Sequence, residues 1–246
     1  MRLEAVRIPS GGVELAALRY VPDRPLRPTA LIYAHGFTSG KYSLDNLANY
    51  LAGRGYPGLT FDFVGHKLGC TGGEMRHISQ AAENLQDALR WLRAHSEAEQ
   101  VVLIGHSMGG AAVLEVAAQE RRHPSNDGAR LAGIVCMSIG LEPTRGFDNA
   151  VGRTMLAQRS DYVVGAPALE LLSGLDTLIL ATREIGNLPA LFIAARQDVL
   201  VSVARVEQLA ALAGPAASVT TLDTSHLDAP DRSRSTIAQW LDQQNL

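Results

Sequence analysis

The chain has 246 residues, 46% of them apolar and 19% charged, a balance that suits one compact domain and excludes a disordered segment or a string of small modules. Its 22 Lys and Arg against 25 Asp and Glu leave a formal charge of −3, with no basic cluster to neutralise a row of phosphates, so nucleic acid is not an expected partner. No apolar run approaches the roughly 20 residues of a membrane helix, the N-terminus lacks a secretory pattern, and Cys70 and Cys136 fit no disulfide framework. A cytoplasmic protein with two free thiols and no membrane span is expected.

In chain order, residues 3–8 and 13–20 are β-like runs around Ser10-Gly11-Gly12, a turn signal that predicts an N-terminal hairpin. Short β-rich runs follow at 29–34, 58–63, 101–104, 132–137, 190–195 and 219–222, separated by helical stretches. Several are apolar on both alternating faces, as in a parallel sheet covered by helices on each side. The clearest helix starts near Ser79, a candidate cap. Ala82, Leu85, Ala88, Leu89 and Leu92 recur there at spacings of three and four, leaving Glu83, Gln86, Asp87, Arg90 and Arg93 to the other face. Weaker stripes occupy 203–212 and 233–241. The loop from His123 to Gly128 is too short for a domain linker. Residues 141–187 form a stretch longer than a crossover needs, mixing Leu-rich runs with Gly165, Pro167 and Gly174. The reading is a single α/β domain over 1–246, with a mostly parallel central sheet, helices on both faces and a small helical cap at about 141–187. Leu169, Leu171, Leu172, Leu175, Leu178, Ile179 and Leu180 of that cap are candidates for an acyl pocket, and core packing explains them equally well.

The chemistry is concentrated at strand ends. Residues 101–104 run into Gly105-His106-Ser107-Met108-Gly109-Gly110 and then into a helix-like stretch, which is strand, G-x-S-x-G, helix. In such an elbow the serine sits on a very tight turn, and glycines two residues before and after it avoid contacts that a Cβ would create. The next amide, that of Met108, then lies at a helix N-terminus where a developing oxyanion is favoured. A hydroxyl needs a base, and the base needs an acid, in the order Ser, acid, His. Only His123 and His226 follow Ser107, and His123 ends the helix that the elbow begins. His226 is therefore the expected base. Asp198, just past the run 190–195, is the expected acid. Asp223 is the competitor, but it lies only three residues before His226 and would have to fold back along the same loop. The run 29–34 ends in His35-Gly36-Phe37, so the amide of Phe37 is expected to face Ser107 and complete an oxyanion hole with that of Met108. His35 is expected to hold the loop rather than to move protons.

These features resemble those of the α/β-hydrolase fold superfamily, in its broad group of small serine esterases and thioesterases. The resemblance runs from His35-Gly36 through Asp62-Phe63-Val64-Gly65-His66 to Gly105–Gly110, Asp198 and His226. It implies cofactor-free acyl transfer to water on a small-molecule ester or thioester, with Ser107 as nucleophile. Members commonly carry D-x-x-G-x-G-x-S after the fourth strand, whereas here Asp62, Gly65 and Gly69 stand in a variant, which puts the shape of that loop in question. Other readings fare worse. His66, Cys70 and His77 match no zinc spacing, the run Gly69, Gly72, Gly73 lacks a phosphate-loop Lys and reads instead as a flexible rim, and a serine at position 107 argues against carboxylate-nucleophile chemistry. A peptidase, an amidase, a carbon-carbon bond hydrolase or a non-catalytic binding protein remains the alternative.

Overall fold

The computed structural model describes residues 1–23 and 26–246. The chain opens with a hairpin, β1 (Arg2–Ser10) and β2 (Val13–Val21), followed by β3 (Thr29–Ala34), α1 (Asp45–Ala52), β4 (Gly58–Phe61) and α2 (Ser79–His95). Then come β5 (Gln100–His106), α3 (Met108–Arg122) and β6 (Arg130–Met137). A helical excursion, α4 (Ala150–Arg159), α5 (Ala168–Ser173) and α6 (Leu175–Leu180), leads to β7 (Ala190–Ala195), α7 (Val203–Leu212), β8 (Ala217–Leu222), α8 (Ala229–Arg232) and α9 (Arg234–Gln243). The eight strands form one sheet in the order β1-β2-β4-β3-β5-β6-β7-β8. Only the β1–β2 and β2–β4 pairings are antiparallel. This is the expected α/β architecture.

Alternation along the central strands sorts the core into two layers. Ala30 and Ile32 of β3, Leu103 of β5 and Phe192 of β7 pack with Leu85 and Leu89 of α2 and with Val113 of α3. Their sequence neighbours Leu31, Tyr33, Ile104 and Ile193 face the other way, against Leu47 and Leu51 of α1 and Trp240 and Leu241 of α9. A strand buried on both faces must be apolar throughout, which is why these runs carry no period-two pattern.

The sheet order reverses between β3 and β5. After β3 the chain adds β4 on one side, then crosses back to add β5, β6, β7 and β8 on the other. The crevice beyond the C-terminal ends of β3 and β5 is therefore the topological switch point, where ligands meet open α/β sheets.

Two expectations are corrected. Strand β4 ends at Phe61 rather than at 63. The amides beyond it turn to side chains: Phe63 N donates to His35 Nε2 at 3.1 Å and Val64 N to Asn84 Oδ1 at 3.0 Å. Ser79 does not cap α2, because Ile78 holds that position and Ser79 Oγ bonds His77 Nδ1 at 2.6 Å. Gln80 Oε1 takes up the amides of Arg76 and His77 instead.

The loop between β4 and α2 is built on one buried carboxylate. Asp62 is fully buried. Its Oδ1 accepts from Lys41 N at 2.6 Å, and its Oδ2 accepts from Lys41 Nζ at 2.6 Å and from Cys70 N at 2.7 Å. Gly69 lies so close that a Cβ there would meet Asp62 Cγ at 2.2 Å. The same loop pairs with residues 162–166: Lys67 N donates to Tyr162 O, Val164 N to Gly65 O and Met75 N to Val164 O. The expected flexible rim is thus a tied segment, held by Asp62 on one side and by the helical excursion on the other.

Candidate active site

Ser107 joins β5 to α3 with φ 52° and ψ −119°, a conformation that costs a non-glycine residue roughly 1–3 kcal/mol and that persists only when its surroundings enforce it. Here the enforcement is close packing. A Cβ at Gly105 would lie 2.3 Å from Gly109 O, and one at Gly109 would lie 2.1 Å from Ala34 O. The G-x-S-x-G spacing is therefore a steric requirement of running α3 directly across β3.

The two loops that follow β7 and β8 bring a carboxylate to an imidazole. His226 Nδ1 donates to Asp198 Oδ2 at 2.7 Å. The Asp198 side chain is fully buried and that of His226 nearly so. Burial by itself would raise the Asp198 carboxyl, but the His226 hydrogen bond and the amides of Val201 and Leu200 outweigh it and hold the group below its ordinary range. Those amides donate to Oδ1 at 3.0 and 2.8 Å, so each carboxylate oxygen has a fixed partner. Asp223 is exposed and accepts from Gln197 Nε2 at 3.0 Å, away from the imidazole.

The elbow and this pair open on one cleft. Ser107, His226, Gly36 and Phe37 all line it. Gly36 faces the elbow, since a Cβ there would sit 3.4 Å from Ser107 Cβ. The amides of Phe37 and Met108 donate to no acceptor among the described residues. The amide of Met108 is one of the orphan donors of the α3 N-terminus. The loop carrying Phe37 is pinned at both ends. His35 Nδ1 donates to Gly36 O at 2.8 Å while its Nε2 accepts from Phe63 N, and Lys41 is held by Asp62. Burial, followed by the nearby His66, pushes the His35 imidazole well below its ordinary pKa, so it is a neutral brace.

Between β6 and β7, residues 141–187 hold α4, α5, α6 and three 3-10 turns. Pro143, Phe147, Met155, Leu156, Leu172 and Leu175 supply one wall of the cleft. The leucine-rich run of α5 and α6 divides: Leu172 and Leu175 reach the cleft, Leu171, Leu178 and Ile179 join the core, and Leu169 and Leu180 are exposed. His66 is buried, Cys70 and His77 are exposed, and no group of three His, Cys, Asp or Glu gathers as a metal site among the described residues. None of the helices described is long and apolar enough to cross a membrane.

The sequence profile of the alpha/beta hydrolase fold matches residues 29–158, more than half of the chain. The chain belongs to the α/β-hydrolase fold family. In sequence this α/β hydrolase is 27% identical over 188 residues to a putative phosphoribosyl transferase of Mycobacterium tuberculosis, covering 75% of this chain and 38% of that protein. It is 28% identical over 162 residues to a phospholipase of Bacillus subtilis, covering 65% of this chain and 57% of the other. The chain thus spans well under two thirds of the length of either relative. In structure it is similar to an esterase of Pyrococcus furiosus, with a TM-score of 0.76 and 20% identity over 100% of this chain and 91% of that one.

Two contributors to this hydrolase-fold site escaped the sequence. Lys41 is the first: Asp62 stands in the recognised loop motif, but its pairing with Lys41 joins distant loops and leaves no local pattern. His106 is the second. Its Nε2 donates to the carbonyl of His226 at 2.9 Å, tying the residue before the elbow serine to the backbone of His226. Burial, followed by the proximity of His226, lowers the His106 imidazole to about 3, which keeps it neutral with its proton on Nε2.

Proposed function

We propose that this protein is a serine hydrolase that cleaves a carboxylic ester or thioester through an acyl-enzyme intermediate. One observation carries the reading: a serine in enforced strain opens on the same cleft as an imidazole whose other nitrogen is bonded to a buried carboxylate. With Nδ1–H committed to Asp198, the imidazole keeps Nε2 free to take a proton. Ser107 Oγ adds to the substrate carbonyl carbon as its proton passes to His226. The Phe37 and Met108 amides stabilise the oxyanion that forms. Collapse expels an alkoxide or thiolate, which leaves with that proton. Water then repeats both steps at the acyl-enzyme, releasing the acid and restoring Ser107. No cofactor takes part in these steps.

The walls contributed by residues 141–187 act as a cap that selects the acyl group. The cleft offers about 120 Å³, below the several hundred Å³ of sites that engulf drug-sized ligands. A compact acyl group fits, with the leaving group extending toward solvent. The phospholipase name of the Bacillus relative supports an ester as the bond cleaved. The transferase name belongs to a chain of which 38% is matched, and the reading does not rest on it.

Labelling with a fluorophosphonate, together with a hydrolysis screen over p-nitrophenyl esters, acyl thioesters and aminoacyl amides, tests the reading. The wild-type protein takes the label and turns over esters or thioesters, and Ser107→Ala does neither. A wild-type protein that is neither labelled nor active on any of these would overturn it.

A further inference from the structure

The cleft holds one side chain of permanent charge. Among the described residues that line it there is no Asp, Glu or Lys, and the single arginine is Arg159, partly buried in the last turn of α4. A cation at a helix C-terminus has a local use, since it can neutralise the dipole or bond the last carbonyls. Arg159 does not do the latter. Its guanidinium donates to no carbonyl and forms no ion pair among the described residues, whereas Arg153, earlier in the same helix, bonds the carbonyl of Asp148. Nearby Arg145 is likewise engaged, with Glu142 at 2.9 Å. Arg159 instead borders Met155 and Leu156 on the apolar wall.

On open surface an unpaired arginine is solvated and carries no message. Beside an apolar wall the effective dielectric falls, and an oxyanion brought there gains a bidentate, charge-assisted partner with no protein carboxylate to displace. A purely apolar substituent gains nothing from Arg159. We infer that the substrate is an ester bearing an anionic oxygen group, carboxylate or phosphate, that Arg159 binds while the ester carbonyl lies at Ser107. The inference rests on the hydrolase reading and narrows its substrate class. Arg159 makes no contact with the reacting atoms, and its role is specificity.

Matched substrate pairs test it. One arm places the charge on the acyl side: p-nitrophenyl hemiglutarate against its methyl ester. The other places it on the leaving group: an acyl glycerol phosphate against the same acyl glycerol. In at least one arm the wild-type enzyme is expected to favour the anion by about tenfold to a hundredfold in kcat/KM, the range of a charged hydrogen bond. That arm identifies the side on which the charge sits. Arg159→Met brings the ratio near one, and Arg159→Lys keeps part of it because the charge remains without the fork. A ratio below two in both arms, or one that survives in Arg159→Met, overturns the inference while neutral esters are still cleaved. Calorimetry without turnover reads the same preference on the side that the positive arm identifies: monomethyl glutarate against dimethyl glutarate for the acyl side, glycerol phosphate against glycerol for the leaving-group side. Equal or absent binding of that matched pair counts against Arg159 in the same way. Loss of all ester turnover and of fluorophosphonate labelling would strike the hydrolase reading instead.

Discussion

Lys41→Met isolates the buried ion pair that anchors the Phe37 loop. The substitution removes Nζ from Asp62 and leaves a fully buried carboxylate with two amide donors, Lys41 N and Cys70 N. Breaking a buried pair from one side costs about 3–5 kcal/mol, because the remaining charge stays desolvated without its partner. At about 2.1 cal/mol/K per residue, the unfolding entropy of this chain is about 0.5 kcal/mol/K, so the expected fall in Tm is about 6–10 °C. Calorimetry and urea unfolding read that loss directly. The double variant Asp62→Asn/Lys41→Met removes both charges and is expected to recover at least half of the loss, the signature of coupling rather than of independent packing. Because Lys41 closes the loop that carries the Phe37 amide, residual folded enzyme should show a lower kcat with little change in KM. A Lys41→Met protein within about 2 °C of wild type, or a double variant that loses the sum of the two single effects, would refute the account of Asp62 as a buried clamp.

Ser107→Ala is expected to fold normally and to lower kcat by about three to six orders of magnitude, read with whichever ester the screen identifies; retention of a tenth of the turnover would remove Ser107 from the role of nucleophile. Asp198→Asn leaves the base without its orienting charge and should depress kcat strongly, whereas Asp223→Asn, exposed and bonded to Gln197, should be mild; the opposite ranking moves the acid to position 223. Phe37→Ala keeps the amide and should cost far less than either triad change, unlike a substitution that moves the loop. Stability should fall below neutral pH. Burial lowers His66 to about 4 and His106 to about 3, and holds His35 well below its ordinary pKa, so all three stay neutral in the fold while the unfolded chain protonates them. Their stabilisation is full above pH of about 6.5 and is lost as pH falls toward the folded values, at about 2 kcal/mol for each of His66 and His106 by pH 5, with His35 acting in the same direction. Asp198 and Glu120 are held below the usual carboxylate range, so their contributions fade only in more acid solution. Urea unfolding at pH 8 and pH 5 should therefore differ by about 4 kcal/mol or more, with about 2 kcal/mol of that removed in His66→Gln; equal stability at the two pH values would show that these histidines ionise freely.

The parallel sheet and its order of chemistry were legible because they are local. Five apolar runs bounded by turns announce buried strands, the sixth, 219–222, being the half-exposed edge strand β8, and each residue proposed for the reaction itself stands within a few positions of a strand end. The elbow was legible for a steric reason, since Gly105 and Gly109 occupy points where another chain segment leaves no room for a Cβ. What sequence could not show is burial that depends on distant segments. Arg93 falls on the polar side of its helix by periodicity, yet it pairs with Glu120 of α3 at 2.6 Å, with both side chains more than nine-tenths buried. Lys41 reads as an ordinary loop lysine until Asp62 is placed beneath it. Ser79 satisfies the statistics of a cap, but a competing acceptor, Gln80, was nearby. In each case a side-chain partner overrode a pattern written over a few residues.

The sheet order also dates the site within the life of the molecule. The elbow is complete once β3, β5, β6 and α3 are in place, all within the first 137 residues. Asp198 and His226 arrive on loops after β7 and β8, the last two strands added at one edge. A nascent chain emerging N-terminus first, or a refolding intermediate with that edge undocked, carries the strained serine without its proton acceptor, and such a hydroxyl is a poor nucleophile. Hydrolytic power in the proposed chemistry is therefore withheld until assembly is finished. Regain of activity during refolding reports the docking of the C-terminal edge, while in a Trp240→Phe variant the fluorescence of Trp91 in α2 follows the earlier half of the molecule. The lag between the two signals measures how long the chain exists as a scaffold before the proposed hydrolysis can begin.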